Sequence, residues 1–216
     1  MTLWIKICGN TTFEDAQLAA EAGADAVGFV FAPSPRRVTV EQAAGIVPQL
    51  PATTEKIGVF VDADLDEIAL TVERCGLTGV QLHFDAPPVL AAQLRENFGA
   101  KLRILRVVHF DPVVAGGMAL NFDPDTDAIL IDSRTPRAVG GTGQAYDWSI
   151  ARTLFQEKEA QKRLIAAGGL TPENVAEAIC TLRPWGVDVA SGVEAAPGRK
   201  DPARVAAFVA NARSAR

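Results

Sequence analysis

Short apolar runs rich in β-branched residues alternate along the chain with alanine-rich stretches of helical period, and no low-complexity linker interrupts the alternation. The apolar runs predict strands over Leu3–Cys8, Ala26–Phe31, Lys56–Val61, Gly79–Leu82, Leu102–Val108, Ala128–Ile131, Arg163–Ala167 and Val187–Ala190. None shows sustained polar alternation, so parallel strands covered by helices are expected. Eight successive strand–helix units predict an α/β fold, a single-domain (β/α)8 TIM barrel over residues 1–216, with an open doubly wound sheet as the alternative.

Helix starts support the alternation, because a side-chain oxygen ahead of an apolar-periodic segment can accept from amides that the first turn leaves unbonded. Thr11 with Glu14, Thr39 with Gln42 and Asp64 with Glu67 have capping-box spacing, and Thr171-Pro172 and Asp201-Pro202 put proline at a first helical position. The fifth helix, near Asp111 to Ala119, is expected to be short or distorted, since Gly116-Gly117 weakens it.

A barrel of this kind builds its chemistry at the carboxyl ends of the strands. Those ends are Cys8-Gly9-Asn10, Ala32 to Arg37, Asp62, His83, His109, Asp132-Ser133-Arg134, Gly168-Gly169 and Ser191-Gly192, where polar residues and glycines collect after mostly apolar strand bodies.

Composition narrows the ligand. The chain has 216 residues, 48% of them hydrophobic, and a formal net charge of -5, with a pI near 5.1. That balance argues against nucleic acid, whose binding needs clustered Lys and Arg, and favours a small molecule. No apolar run is long enough for a bilayer and the N-terminus lacks a leader pattern, so no membrane partner is expected. Three scattered cysteines, Cys8, Cys75 and Cys180, form no CxxC pair and suit a reducing cytoplasm.

Several of the strand ends could carry chemistry. Lys6 and Cys8 lie two apart on a strand and share a face, and an ammonium near a thiol favours the thiolate, a usable base. The plain alternative is a small buried hydrophobe. Asp132 ends an apolar strand, and burial in such a place raises a carboxyl pKa as a general acid requires. A helix cap or an ion pair with Arg134 would explain the same residue. The glycine-rich stretch from Ser133 to Gln144 is long for a barrel connection and could act as a lid. Gly168-Gly169 and Ser191-Gly192 sit where many barrels bind phosphate through backbone amides, although ordinary turns also use glycine. Arg36 or Arg37 could form a paired contact with a substrate carboxylate. His83 could line the mouth or be structural, and Asp188 could pair with Lys6 inside the barrel.

Taken together, Lys6-Ile7-Cys8-Gly9, Gly23 to Phe31, Ser34-Pro35-Arg36, Val80-Gln81-Leu82-His83, Gly140-Gly141-Thr142-Gly143, Asp147-Trp148, Gly168 to Asn174, Asp188 to Glu194 and Pro197-Gly198 resemble the phosphoribosylanthranilate isomerase pattern over nearly the whole chain. The resemblance implies an Amadori rearrangement of a phosphosugar substrate, with Cys8 as general base and Asp132 as general acid and with no metal or organic cofactor. It further implies that Arg36 meets the anthranilate carboxylate, that His83 lies in the substrate site, and that Gly168, Gly169, Ser191 and Gly192 hold the phosphate. Arg37 stands where the pattern is often uncharged, which leaves the choice of arginine open. A monomer or homodimer is expected. The histidine-pathway isomerase would be expected to have an aspartate at Cys8, the tryptophan synthase α subunit lacks the Lys6 to Gly9 start, and a non-catalytic phosphosugar-binding barrel would not need Cys8 and Asp132 together.

Overall fold

A computed structural model of the chain describes residues 2–109, 123–132, 148–158 and 162–215. Eight parallel strands, β1 (Trp4–Ile7), β2 (Ala26–Val30), β3 (Glu55–Phe60), β4 (Gly79–Leu82), β5 (Arg103–His109), β6 (Ala128–Asp132), β7 (Arg163–Ala167) and β8 (Gly186–Val189), form a closed barrel in sequence order. β1 pairs with β8, with Lys6 opposite Asp188, so the open doubly wound alternative is excluded. Each expected strand is present with its ends moved by at most one residue.

Around the barrel lie α1 (Phe13–Glu21), α2 (Val40–Ile46), α3 (Leu65–Cys75), α4 (Pro88–Phe98), α5 (Trp148–Lys158), α6 (Val175–Leu182) and α7 (Pro202–Ser214). Thr39 and Gln42 form a reciprocal capping box, Asp64 caps α3 through the Glu67 amide, and Asp201 caps α7 with Pro202 in its first turn. Two expected starts are corrected. The cap of α1 is Thr12, which accepts from the Asp15 amide, because the Thr11 hydroxyl donates instead to the Gly198 carbonyl at 2.6 Å. Thr171-Pro172 belongs to a turn ahead of α6, closed by the Asn174 side chain, which accepts from the Thr171 amide and donates to the Gly169 carbonyl. The expected fifth helix near Asp111 to Ala119 and the stretch from Ser133 to Gln144 lie outside the described residues.

Two apolar layers result, one between strands and helices and one inside the barrel. The interior layer holds Trp4, Ala26, Ile57, Leu105, Val107, Ala128, Leu130, Ile165 and Ala167. Large side chains fill space that glycines leave: a Cβ on Gly79 would lie 2.6 Å from Ile57, and one on Gly186 would lie 2.8 Å from the Trp4 carbonyl. Below, Trp4 stacks on Trp185 at 5.2 Å, and the Arg103 and Arg163 guanidinium groups cover the Trp185 ring.

The lower, amino-terminal end also carries one clamp twice. Asp25, just before β2, accepts from the Ile5 amide of β1 at 2.7 Å and from Arg213 of α7 at 2.8 Å. Asp127, just before β6, accepts from the Ile104 amide of β5 at 2.7 Å and from Arg95 of α4 at 2.8 Å. In both, the arginine also donates to carbonyls two residues before the clamped pair, Leu3 and Gly23 in one and Leu102 and Asp125 in the other. The two clamps are four strands apart, on opposite sides of the barrel. Removing the carboxylate orphans a strand amide, so Asp127→Ala should cost about 1–3 kcal/mol in urea unfolding. Ligand affinity at the opposite end should stay unchanged in that variant, and an equal loss of affinity in an equilibrium titration would contradict the assignment.

Candidate active site

The mouth of the barrel is built by strand alternation, which turns Lys6 of β1, Cys8 just after it, Gly28 of β2, His83 after β4, His109 of β5, Asp132 of β6 and Asp188 of β8 inward. Two groups of side chains stand apart on the rim. Cys8 follows β1 and Asp132 ends β6, strands three apart around the ring, and both residues are buried.

On the first side, the fully buried Lys6 ammonium donates to Asp188 Oδ1 at 2.8 Å. Burial alone would lower the Lys6 pKa; the Asp188 and Cys8 charges, with hydrogen bonds to both, outweigh it and raise the ammonium above the ordinary lysine value. Gly28 makes room for this arrangement, since a Cβ there would lie 2.7 Å from Cys8 Sγ and 3.1 Å from Lys6 Cε. Gly9, at φ +75°, lets the chain turn beside the Arg36 side chain, whose Cδ would be 2.6 Å from a Cβ at that position. Asn10, wholly buried, ties the same turn to β2 by donating to the Ile7 and Gly28 carbonyls.

Arg36 is held in place. Its Nε and Nη2 donate to the two carboxylate oxygens of Glu194, each at 2.7 Å. Arg37, by contrast, is exposed. Glu194 opens a small antiparallel hairpin, β9 (Glu194–Ala196) with β10 (Arg199–Lys200), and Lys200 returns beneath it. Lys200 Nζ donates to the Cys8 carbonyl at 2.6 Å, the Ala190 carbonyl at 3.2 Å and Glu194 Oε1 at 3.2 Å.

On the second side, His83 Nε2 is 3.9 Å from Asp132 Oδ2, and the His83 ring meets the His109 ring edge-on at 5.5 Å. Gln81 Nε2 lies 3.2 Å from His83 Nδ1 and so fixes the ring orientation.

The glycine loops meet between the two groups. Gly168 and Gly169 have φ of +83° and +67°, which side chains rarely adopt. Gly192 sits against the first loop so closely that a Cβ would be 1.8 Å from the Leu170 carbonyl oxygen. Ser191, Gly192 and Val193 form a single 3-10 turn after β8. All eight expected site residues therefore lie at one end of the barrel, and Lys6 pairs with Asp188 as expected. The Glu194–Lys200 connection was not among the expectations. Its partners lie up to 192 residues apart, and the one signal, a Glu and a Lys flanking Pro197-Gly198, is common in surface turns.

Comparison with known proteins agrees on one family. The family model for N-(5'-phosphoribosyl)anthranilate isomerase matches residues 5–211. The N-(5'-phosphoribosyl)anthranilate isomerase of Geobacter sulfurreducens is 45% identical over 210 residues, 97% of this chain and 98% of that protein. That of Pelobacter propionicus is 43% identical, over 98% of this chain and 96% of its own. Among solved structures, the phosphoribosylanthranilate isomerase of Thermotoga maritima superposes with a TM-score of 0.86 at 38% identity, covering 97% and 98% of the two chains. A phosphoribosylanthranilate isomerase in complex with reduced 1-(o-carboxyphenylamino)-1-deoxyribulose 5-phosphate gives 0.83 at 36% identity over the same shares. Monomers generated from the dimeric Thermotoga maritima enzyme give 0.81 at 36%, again over 97% and 98%.

Burial alone would push the Glu194 carboxyl up; the Arg36 hydrogen bonds and the Lys200 charge outweigh it and hold it below the usual glutamate range. A carboxyl with a depressed folded pKa contributes stability that is complete above its unfolded value and is lost as the pH falls through the folded one. The stability gap between wild type and Glu194→Gln should therefore be widest at neutral pH and narrow below about pH 4.3, the unfolded value. Urea unfolding at pH 7 and in the acid range measures the gap, and an equal gap at both would contradict the ion-pair account.

Proposed function

The chain belongs to the N-(5'-phosphoribosyl)anthranilate isomerase family, and from that premise we propose how the mouth of its barrel performs the family's reaction. The protein is an isomerase of tryptophan biosynthesis. It converts N-(5-phosphoribosyl)anthranilate into 1-(2-carboxyphenylamino)-1-deoxyribulose 5-phosphate by an Amadori rearrangement. The whole chain, residues 1–216, acts as a single barrel domain.

Asp132 is the general acid and Cys8 the general base. Asp132 protonates the furanose oxygen, the ring carbon–oxygen bond breaks, and the nitrogen lone pair forms a Schiff base at ribose carbon 1. Cys8, as thiolate, then takes the proton from carbon 2. The released electron pair forms a carbon–carbon double bond while the imine electrons return to nitrogen, giving an enolamine. Tautomerisation leaves a ketone at carbon 2 and a methylene at carbon 1, so carbon 2 is oxidised and carbon 1 reduced within one molecule. The acid and base are both side chains, so no metal or organic cofactor enters the reading.

The observation that carries this assignment is the placement of Cys8 above the buried Lys6–Asp188 pair, with Asp132 on the far side of the same mouth. Lys6 supplies a fixed positive charge to the thiolate. The anthranilate carboxylate takes the guanidinium donors of Arg36 that Glu194 leaves unused. The phosphate lies on the amides around Gly168, Gly169, Ser191 and Gly192, and His83 lines the substrate site beside Asp132. The setting is the cytoplasm and the assembly a monomer or homodimer, the second being the state of the Thermotoga maritima relative. Among the described residues no helix is long and apolar enough to cross a membrane.

Loss of anthranilate fluorescence during turnover tests the roles. Cys8→Ser keeps the shape but offers a hydroxyl scarcely ionised at neutral pH, and Asp132→Asn cannot donate a carboxyl proton, so each should lose about 10²- to 10⁴-fold in kcat. Near-normal turnover in either folded variant removes that residue from the mechanism. Arg36→Ala should mainly raise KM. An unchanged KM there, with a large rise in Arg37→Ala, would transfer the carboxylate contact to the neighbour.

A further inference from the structure

Lys200, like Lys6, has no solvent exposure of its side chain. Its three ammonium protons have three acceptors, and each belongs to a different part of the site. One is the carbonyl of Cys8 itself. Another is the carbonyl of Ala190, immediately before the Ser191–Gly192 turn. The third is the Glu194 carboxylate that grips Arg36. An ammonium buried only to stabilise a fold is a poor device, since lost hydration consumes what the ion pair returns and an apolar side chain often serves as well. A cation whose bonds join these three parts has a different use.

The gripping geometry indicates that use. A guanidinium has five donors in a rigid plane, and Glu194 takes one from Nε and one from Nη2. The other three point away from Glu194, from a side chain that runs beside the Gly9 turn next to Cys8. Without the carboxylate, Arg36 would be a third cation on this side of the mouth with nothing to fix its rotation or offset its repulsion from Lys6 and Lys200.

We propose that Glu194 is a positioning residue for the substrate's aryl carboxylate, acting through Arg36, and that Lys200 anchors Glu194 to the backbone of Cys8. The distance between the carboxylate contact and the base is thereby set by one chain of bonds, Arg36–Glu194–Lys200–Cys8. The inference rests on the reading that Arg36 binds the carboxylate, and the test separates the two.

Anthranilate and ribose 5-phosphate, each used as a competitive inhibitor, report the carboxylate and phosphate ends independently. In Glu194→Gln, which keeps the shape, the inhibition constant for anthranilate should rise about tenfold while that for ribose 5-phosphate stays within about twofold, and KM should change more than kcat. Lys200→Met should weaken anthranilate in the same direction, and the double variant should weaken it no further, because Lys200 acts through Glu194. Should Lys200→Met fail to fold, Glu194→Gln decides alone. If folded Glu194→Gln leaves anthranilate inhibition within about twofold of wild type, or weakens both inhibitors equally, the positioning role is overturned. Arg36→Ala distinguishes the premise: weakened anthranilate there alone leaves Arg36 standing and removes Glu194, whereas no effect in any variant removes both.

Discussion

The barrel closes where β1 meets β8, and the register of that seam sets Lys6 beside Asp188 in the interior, their charged atoms 2.8 Å apart. An ammonium with no exposure loses several kcal/mol of hydration, which only a close, hydrogen-bonded carboxylate offsets. The surroundings are shaped by this pair. Gly28 leaves its side of the interior empty so that the lysine stem and the Cys8 thiol can fit, and Cys8 is left as the next inward position above the charge. The bond that helps to close the barrel thus also places a positive charge under the proposed base. Apolar residues at both positions would close the barrel as well, but would leave the thiol no fixed counter-charge.

The fold was legible because each of its requirements is local. A buried parallel strand needs an uninterrupted apolar run, and the eight runs from Trp4 to Val189 locate the strands to within a residue. Helix starts were legible where a single side chain decides them, as at Thr39, Asp64 and Asp201. They were missed where a distant contact intervenes: Thr11 is diverted to Gly198, and Asn174 builds a turn where Pro172 suggested a helix. The rim residues were legible from their place at strand ends, since alternation turns Cys8 and Asp132 inward whatever surrounds them. Glu194 and Lys200 were not, because their meaning lies in bonds to Arg36 and Cys8 that span 158 and 192 residues. Two adjacent letters could not separate Arg36 from Arg37, whereas in the structure Arg36 is gripped by Glu194 and Arg37 is exposed.

The two ends of the barrel treat charge differently. At the lower end every named carboxylate has its arginine: Asp25 with Arg213, Asp127 with Arg95, Glu55 with Arg103. These pairs also hold strand amides or cover the Trp185 ring, and they act whether or not a ligand is present. Among the described residues around Cys8, three cations (Lys6, Arg36 and Lys200) face two carboxylates (Asp188 and Glu194), a formal excess of one positive charge.

That excess lies in a partly enclosed space, where an unmatched charge is more costly than in water. The proposed substrate carboxylate beside Arg36 would relieve it. Charge balance and occupancy of the site are then one event, and a ligand that binds only the folded chain adds its binding free energy to stability. Replacing one of these three cations by a neutral residue would balance the group around Cys8, and the same change would weaken its attraction for an anion. The imbalance is therefore a property of this end alone, since at the other end each named carboxylate already holds an arginine.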